Sequence, residues 1–217
     1  MYVILPIIII LAVVIGIGIY VAIIYSRRRN ERFATFAEGL GMEVVKGRWT
    51  EQPKLRGSYS GRRVQIQDIA HSTGKSVYFT YKITYESAVQ SRERVSVNIS
   101  RHGLITNFFL NIGKIFGYKT VPFDNFEFDS CAIVRSSNAD FARALLDVEL
   151  QQDIQNLRKG WIVIRGDKIT FEEYGQAQDN ENHVREVLPL LDKIEGKLNR
   201  LGSSYVDTYE KQGLSSF

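Results

Sequence analysis

Residues 2–25, YVILPIIIILAVVIGIGIYVAIIY, hold no charged side chain over 24 positions, and no other stretch restricts the architecture so strongly. As a helix rising about 1.5 Å per residue the run reaches roughly 36 Å. That crosses a hydrocarbon core of about 30 Å with some tilt. Pro6 falls near the start, where a helix tolerates it, and Tyr2, Tyr20 and Tyr25 suit interfacial aromatics. A cleaved secretory signal would need basic residues ahead of a shorter apolar run. Here none precede it, and Arg27, Arg28, Arg29 and Arg32 follow at once. The sequence therefore predicts one membrane-spanning helix in a prokaryotic inner (plasma) membrane, its N-terminus outside and residues 26–217 in the cytoplasm. Two pairs within it, Ala12 with Gly16 and Gly18 with Ala22, have the small-x-x-x-small spacing that lets helices approach closely, so self-association through the span stands as an expectation.

The rest of the chain is long enough to bury a core of its own. One cysteine, Cys131, allows no internal disulfide, in keeping with a reducing compartment. Asn98-Ile99-Ser100 matches a glycosylation sequon, silent on the cytoplasmic side. The net charge of +4 is unevenly spread: residues 33–120 hold 13 Lys and Arg against 6 Asp and Glu, and residues 121–217 hold 11 against 17. A basic proximal half can lie against anionic headgroups or attract the acidic half within one domain, and both readings stand. Nothing in the aromatic pattern points to nucleic acid.

Residues 30–41 predict a short linker helix with Phe33, Phe36, Ala37 and Leu40 on one face, Asn30 as cap and Gly41 as stop. Strand signals follow at 43–49, 54–59, 62–70, 76–86 and 94–100, with turns at Ser60-Gly61, Ser72–Gly74 and Ser87–Arg92. Connections this short favour an antiparallel meander. Residues 104–117 return to helical period, either as an interfacial helix or as a cover for the sheet. A strand is expected over 125–135, then two short helices over 137–146 and 147–159. The first opens on Ser137-x-x-Asp140, the second on Asp147. A hairpin about Gly166-Asp167 joins WIVIR to KITFEEY. The last helix, 181–201, carries an apolar stripe from Val184 to Leu201, with Pro189 as a kink or late start and Gly202 as its end. The expected fold is α+β: a transmembrane helix (2–25), a basic juxtamembrane segment with linker helix (26–42), a mainly antiparallel sheet with packed helices (43–202, basic to 120 and acidic beyond) and a disordered tail (203–217).

Several motifs look like chemistry. HSTGKS, 71–76, ends as a phosphate-binding loop does, but the first glycine that such a loop needs would fall at Ile69, and a period-two strand follows instead of a helix. It reads as a hairpin tip. His71, His102 and His183 have no partner at metal-ligand spacing, and neither do Asp124, Glu127 and Asp129 match a calcium loop. Cys131 reads as a small buried residue, and Arg165-Gly166-Asp167 as a turn rather than an adhesion signal. No metal, cofactor or small-molecule ligand is implied.

The run Leu55-x-Gly57-x-Tyr59-x-Gly61-Arg62-x-Val64-x-Ile66, then Phe123-Asp124-x-Phe126-x-Phe128, then Ala144-Leu145-Leu146 leading to Leu150, resembles uncharacterised bacterial and archaeal proteins with a single N-terminal anchor. The resemblance covers roughly residues 30–202 and implies a shared α+β domain without implying an activity. The leading expectation is a membrane-tethered binding or scaffold module that contacts anionic lipid or a partner protein. Its candidate contacts are Arg27, Arg28, Arg29, Arg32, Arg48, Arg56, Arg62, Arg63, Arg92, Arg94 and Arg101. An enzyme with a pocket assembled from His71, His102, Asp68 and Glu86 is the alternative, and an accessory subunit of a membrane complex a third.

Overall fold

A computed structural model describes residues 4–45, 52–100, 118–157 and 159–211; the side chains of 4–12, of seven later positions in the first helix and of 203–211 lie outside the description. The chain divides into two compact units, Met1–Val44 and Val45–Phe217. In the first, one helix, α1, runs Ile4–Leu40 without a break, where the sequence separated a span from a linker helix. Gly16 and Gly18 cost helix propensity but interrupt nothing, since the i to i−4 ladder needs no side chain. Gly41, at φ 66°, stops the helix: its N–H reaches the Glu38 carbonyl at 3.0 Å and that of Met42 reaches Ala37 at 2.9 Å. Those two bonds close a Schellman motif and satisfy carbonyls that the helix end would leave open. Among the described residues no helix is long and apolar enough to cross a membrane. A short strand, β1 (Glu43–Val45), follows the helix.

The second unit is built on an antiparallel sheet of β2 (Lys54–Tyr59), β3 (Arg62–Ser72), β4 (Val77–Ser100), β5 (Lys119–Thr120), β6 (Ala132–Ser136) and β7 (Lys159–Tyr174). β2 pairs with β3 and β3 with the first half of β4; β6 pairs with the second half of β4, while β7 follows β4 along both halves. The sequence expected β4 and β7 each to be two strands parted by a turn. Each is one strand, and the expected turn residues mark where the shared ladder is irregular: the register shifts between Glu86↔Lys168, Ser91↔Gly166 and Val95↔Ile164. A straight β7 would hold residues 159 and 173 about 46 Å apart. Instead Lys159 Nζ lies 3.1 Å from Glu173 Oε1, so the strand doubles back about Gly166, whose φ is 62°. Facing irregularities let both strands bend together and keep their pairing.

One face of this sheet is the core. Alternate residues of the strands, among them Val64, Ile66, Ile83, Ile169 and Phe171, are buried, as is the stripe Val184, Val187, Leu188, Leu191, Ile194 and Leu198. That stripe belongs to a helix running Glu181–Lys211, past the Gly202 at which the sequence ended it. Pro189 neither delays the start nor stops the helix. The bond it forfeits is to the Arg185 carbonyl, and both residues are exposed.

Among the described residues of this unit, three shorter α-helices come before it. The expected strand over 125–135 is in fact α2 (Phe126–Cys131) running into β6. Asn125 caps α2 by accepting from the Phe128 N–H, and Asp129 accepts from the Phe123 N–H at 3.2 Å, so local side-chain bonds outweigh the alternating pattern. α3 (Ala139–Leu145) is capped by Asn138, one residue beyond the Ser137 expected. α4 (Val148–Asn156) has Asp147 as its cap, as expected, accepting from Leu150 at 3.1 Å. The long C-terminal helix is then α5. Asp147 also pairs with Lys197 of α5, so one carboxylate serves a helix end and an interhelix contact. Burial works against ionisation of Asp147, but the bonds from Lys197 and the Leu150 amide prevail and lower its pKa. Asp147→Ala is expected to cost about 1–2 kcal/mol in urea denaturation, and Asp147→Asn, which keeps the cap, clearly less.

The strand over 46–49, the helix over 104–117 and residues 212–217 lie outside the described residues, as do Arg48, Arg101 and His102.

Candidate functional site

The register defines what the other face of the sheet presents. Three rows cross four strands: Lys54, Gln67, Lys82 and Glu172; Arg56, Gln65, Thr84 and Thr170; Ser58, Arg63, Glu86 and Lys168. All are exposed or half-exposed. The twelve positions hold five basic and two acidic side chains, and one close ion pair joins Arg63 to Glu86 at 3.4 Å. Strand alternation thus sorts polar residues to this face and apolar ones to the core.

At the β3–β4 end the same face turns aromatic. His71 and Tyr78 stack with centroids 4.8 Å apart and planes at 11°, and Tyr174 lies 5.8 Å from Tyr78. His71 Nε2 is 2.8 Å from Thr80 Oγ1, which donates to Glu172 at 2.9 Å. The tip beyond is the HSTGKS turn. Thr73 and Ser76 exchange backbone and hydroxyl bonds, and Gly74 takes φ 80°. The opposite end holds an open depression of about 430 Å³ lined by Gly57, Ser58, Gly61, Arg62, Arg63 and Glu86.

Behind the face, charged groups tie α5 to the sheet. Glu173, 3% exposed, accepts from Tyr81 Oη at 2.5 Å and from His183 Nδ1, and pairs with Lys159 at 3.1 Å. Burial pushes its carboxyl pKa up, but the His183 and Tyr81 bonds outweigh that and leave it below the usual range. Burial first, then the bond to Glu173, holds Tyr81 protonated far above the ordinary phenol range. Further along, Asp192 accepts from Tyr85 Oη at 2.6 Å and Ser60 Oγ at 3.0 Å. Burial and that Asp192 bond likewise raise the Tyr85 pKa. Glu195, 7% exposed, pairs with Arg62 at 3.1 Å and accepts from the Ala88 N–H at 3.2 Å. Of these groups only His183 Nε2 is buried without a partner; the others are satisfied and walled in, which suits fastening of α5 to the sheet.

No protein-family model matches the chain, and no curated protein does. One solved structure, the crystal structure of the mycobacterial trehalose monomycolate transport factor A, is similar at 15% identity with a TM-score of 0.49. The match covers 75% of this chain and 94% of that one. A likeness at that level says nothing of what either chain binds.

The arginines named from sequence are dispersed. Arg56 and Arg63 share the open face, while Arg62 turns to Glu195 at its edge. Arg92 and Arg94 are exposed near the ladder irregularity, Arg94 bonding Tyr118 Oη at 3.2 Å. Arg27, Arg28 and Arg32 are exposed on α1, and the side chain of Arg29 is outside the description. A Cβ built at Gly16 or Gly18 meets nothing within 4 Å, while the side chains of Ala12 and Ala22 lie outside the described residues. Of the residues offered for an enzyme pocket, the three that are described do not converge. His71 and Glu86 sit at opposite ends of the open face, about 26 Å apart along β4, and Asp68 belongs to the other face, where it accepts from the Ala177 N–H at 2.9 Å. Among the described residues no three His, Cys, Asp or Glu side chains could hold a metal ion.

Sequence reasoning missed Lys54, Lys82 and Lys168 on the face and Glu173 beneath it. Period two carried that signal: Ile169, Phe171 and Glu173 share parity, which puts the glutamate inside.

Proposed function

We propose that the chain is a single-pass membrane-anchored protein whose C-terminal α+β unit is a cytoplasmic binding module, and that its open sheet face is the contact surface for an anionic membrane. The observation that carries this is the excess of basic side chains on a four-strand face opposite the helix-packed core. The uncharged run at 2–25 and the arginines after it support the anchor and its direction. Anionic headgroups attract such a face at about 1 kcal/mol per basic residue near the surface. The test places a fluorophore on Thr84→Cys, in a Cys131→Ser background, in the full chain reconstituted into lipid nanodiscs. Shielding from an aqueous quencher is expected in discs containing phosphatidylglycerol but not in phosphatidylcholine alone, and is expected to vanish at about 1 M salt, where screening acts within about 3 Å. Equal quenching in both lipids would remove the proposal and favour a partner protein, to be sought by pull-down of the full chain.

A further inference from the structure

We propose that the β3–β4 tip, carrying Tyr78, Tyr174, Val77 and Lys75, is the part of the open face that enters the headgroup layer of an anionic bilayer; this rests on the reading above. Six large apolar side chains of the described C-terminal unit are exposed, and three of them lie at this one tip, Tyr78 (39%) and Tyr174 (55%) on the open face and Val77 (62%), by strand alternation, on the other side of β4. A lone exposed apolar residue needs no explanation, but a cluster at one end of a charged face marks a contact surface.

The chemistry of the cluster suits a bilayer interface. Tyrosine presents an apolar ring and a hydroxyl that keeps its hydrogen bonds among headgroups, the reason tyrosines concentrate at that depth. Lys75 stands at the apex of the turn, exposed, where an ammonium meets lipid phosphate, and Lys82 follows on the same face as Tyr78. The tip is also pre-shaped. The Thr73–Ser76 bonds close the turn, the His71 ring backs Tyr78, and Thr80 links His71 to Glu172. Little side-chain or loop freedom is left to lose on docking. A protein hot spot would use similar residue types, but it is bounded by a small rim. Here the aromatic end opens onto the basic rows spanning β2 to β7.

Two labelled positions separate this inference from its parent. The fluorophore is placed at Val77→Cys or at Thr84→Cys in the full chain, in nanodiscs with and without phosphatidylglycerol. At position 77 the label should be shielded from aqueous quencher roughly fivefold in the anionic discs, and quenched by lipids brominated near the top of the acyl chain. At 84 it should be shielded from the aqueous quencher alone. The Tyr78→Ser/Tyr174→Ser pair should remove lipid quenching at 77 and leave the shielding at 84 unchanged, with the melting temperature lowered only by the loss of the His71 stack. A shielded 84 with an aqueous 77 would overturn the tip and spare the face. Two aqueous positions would overturn both.

Discussion

Glu173→Ala is expected to be among the most damaging single changes in the C-terminal unit, costing about 3–5 kcal/mol because it removes one side of a buried charged cluster. Tyr81 and His183 would lose their shared acceptor, and Lys159 its pair at 3.1 Å. No water reaches the site easily, for the Glu173 side chain is 3% exposed and His183 13%. The lost acceptor also parts the elements that meet there, β4 through Tyr81, both ends of β7, and α5 through His183. Glu173→Gln keeps the shape and one acceptor oxygen and should cost about 1–3 kcal/mol. Urea denaturation of the full chain orders the two variants, and an alanine variant as stable as wild type would mean the cluster does not clamp α5.

The same carboxylate gives a pH signature. Its folded pKa lies below the ordinary carboxyl value of 4.5, so between the two values the unfolded chain binds more protons than the folded one. Stability from Glu173 is therefore fully present above about pH 4.5 and lost as pH falls through the folded value. Wild type should steepen its loss of stability in that window relative to Glu173→Gln. Asp147, whose pKa is also lowered, titrates in the same direction in both proteins and cancels in the comparison.

How much of this is legible in the sequence depends on the kind of signal. The stripe from Val184 to Leu198 and the period-two run after Ser76 are periodic and repeated, and they fold as the helix and the strand they read as, with Tyr81, Ile83 and Tyr85 buried. The residues Ser87–Arg92 and Gly166-Asp167 were recognisable as breaks, but a single strand cannot say that its break will face another. Because they do face each other, the ladder bends and continues instead of ending. Phe126 and Phe128 read as one strand face. Asn125 and Asp129 supply helix-end bonds over that short distance, and the two rings part, Phe126 becoming 88% exposed while Phe128 is buried. The site was less legible than the fold. Arginines were chosen by type, whereas the open face is set by register across four strands, which brings Lys54, Lys82 and Lys168 beside Arg56 and Arg63 and leaves Arg92 and Arg94 elsewhere. Register depends on pairings distant in sequence, and alternation within one strand does not supply it.

Gly160→Ala should destabilise the same unit by about 3 kcal/mol or more, adding an overpacking cost of about 1–3 to a backbone cost of about 1–2. Gly160 has φ 144°, and a Cβ there would stand 2.3 Å from Phe171 Cε2 and 2.5 Å from Cζ. A ring edge can often swing aside, but this one is fully buried, tilted against Tyr81 at 6.1 Å and edge-on to His183 at 5.6 Å. The close approach follows from the doubling back of β7, which lays its first residues against Phe171. Gly74→Ala is the control: φ is 80° but nothing lies within 4 Å, so only the backbone cost of about 1 kcal/mol applies. Shortening the ring in Phe171→Leu weakens the core by itself, yet in the Gly160→Ala background it opens the space the methyl needs. The double variant should therefore be more stable than the sum of the two single losses predicts, by roughly 0.5–3 kcal/mol. Additive losses, or a Gly160→Ala variant no worse than Gly74→Ala, would mean that the ring does not rest on the residue 160 backbone and that β7 bends less sharply than its end-to-end contacts require.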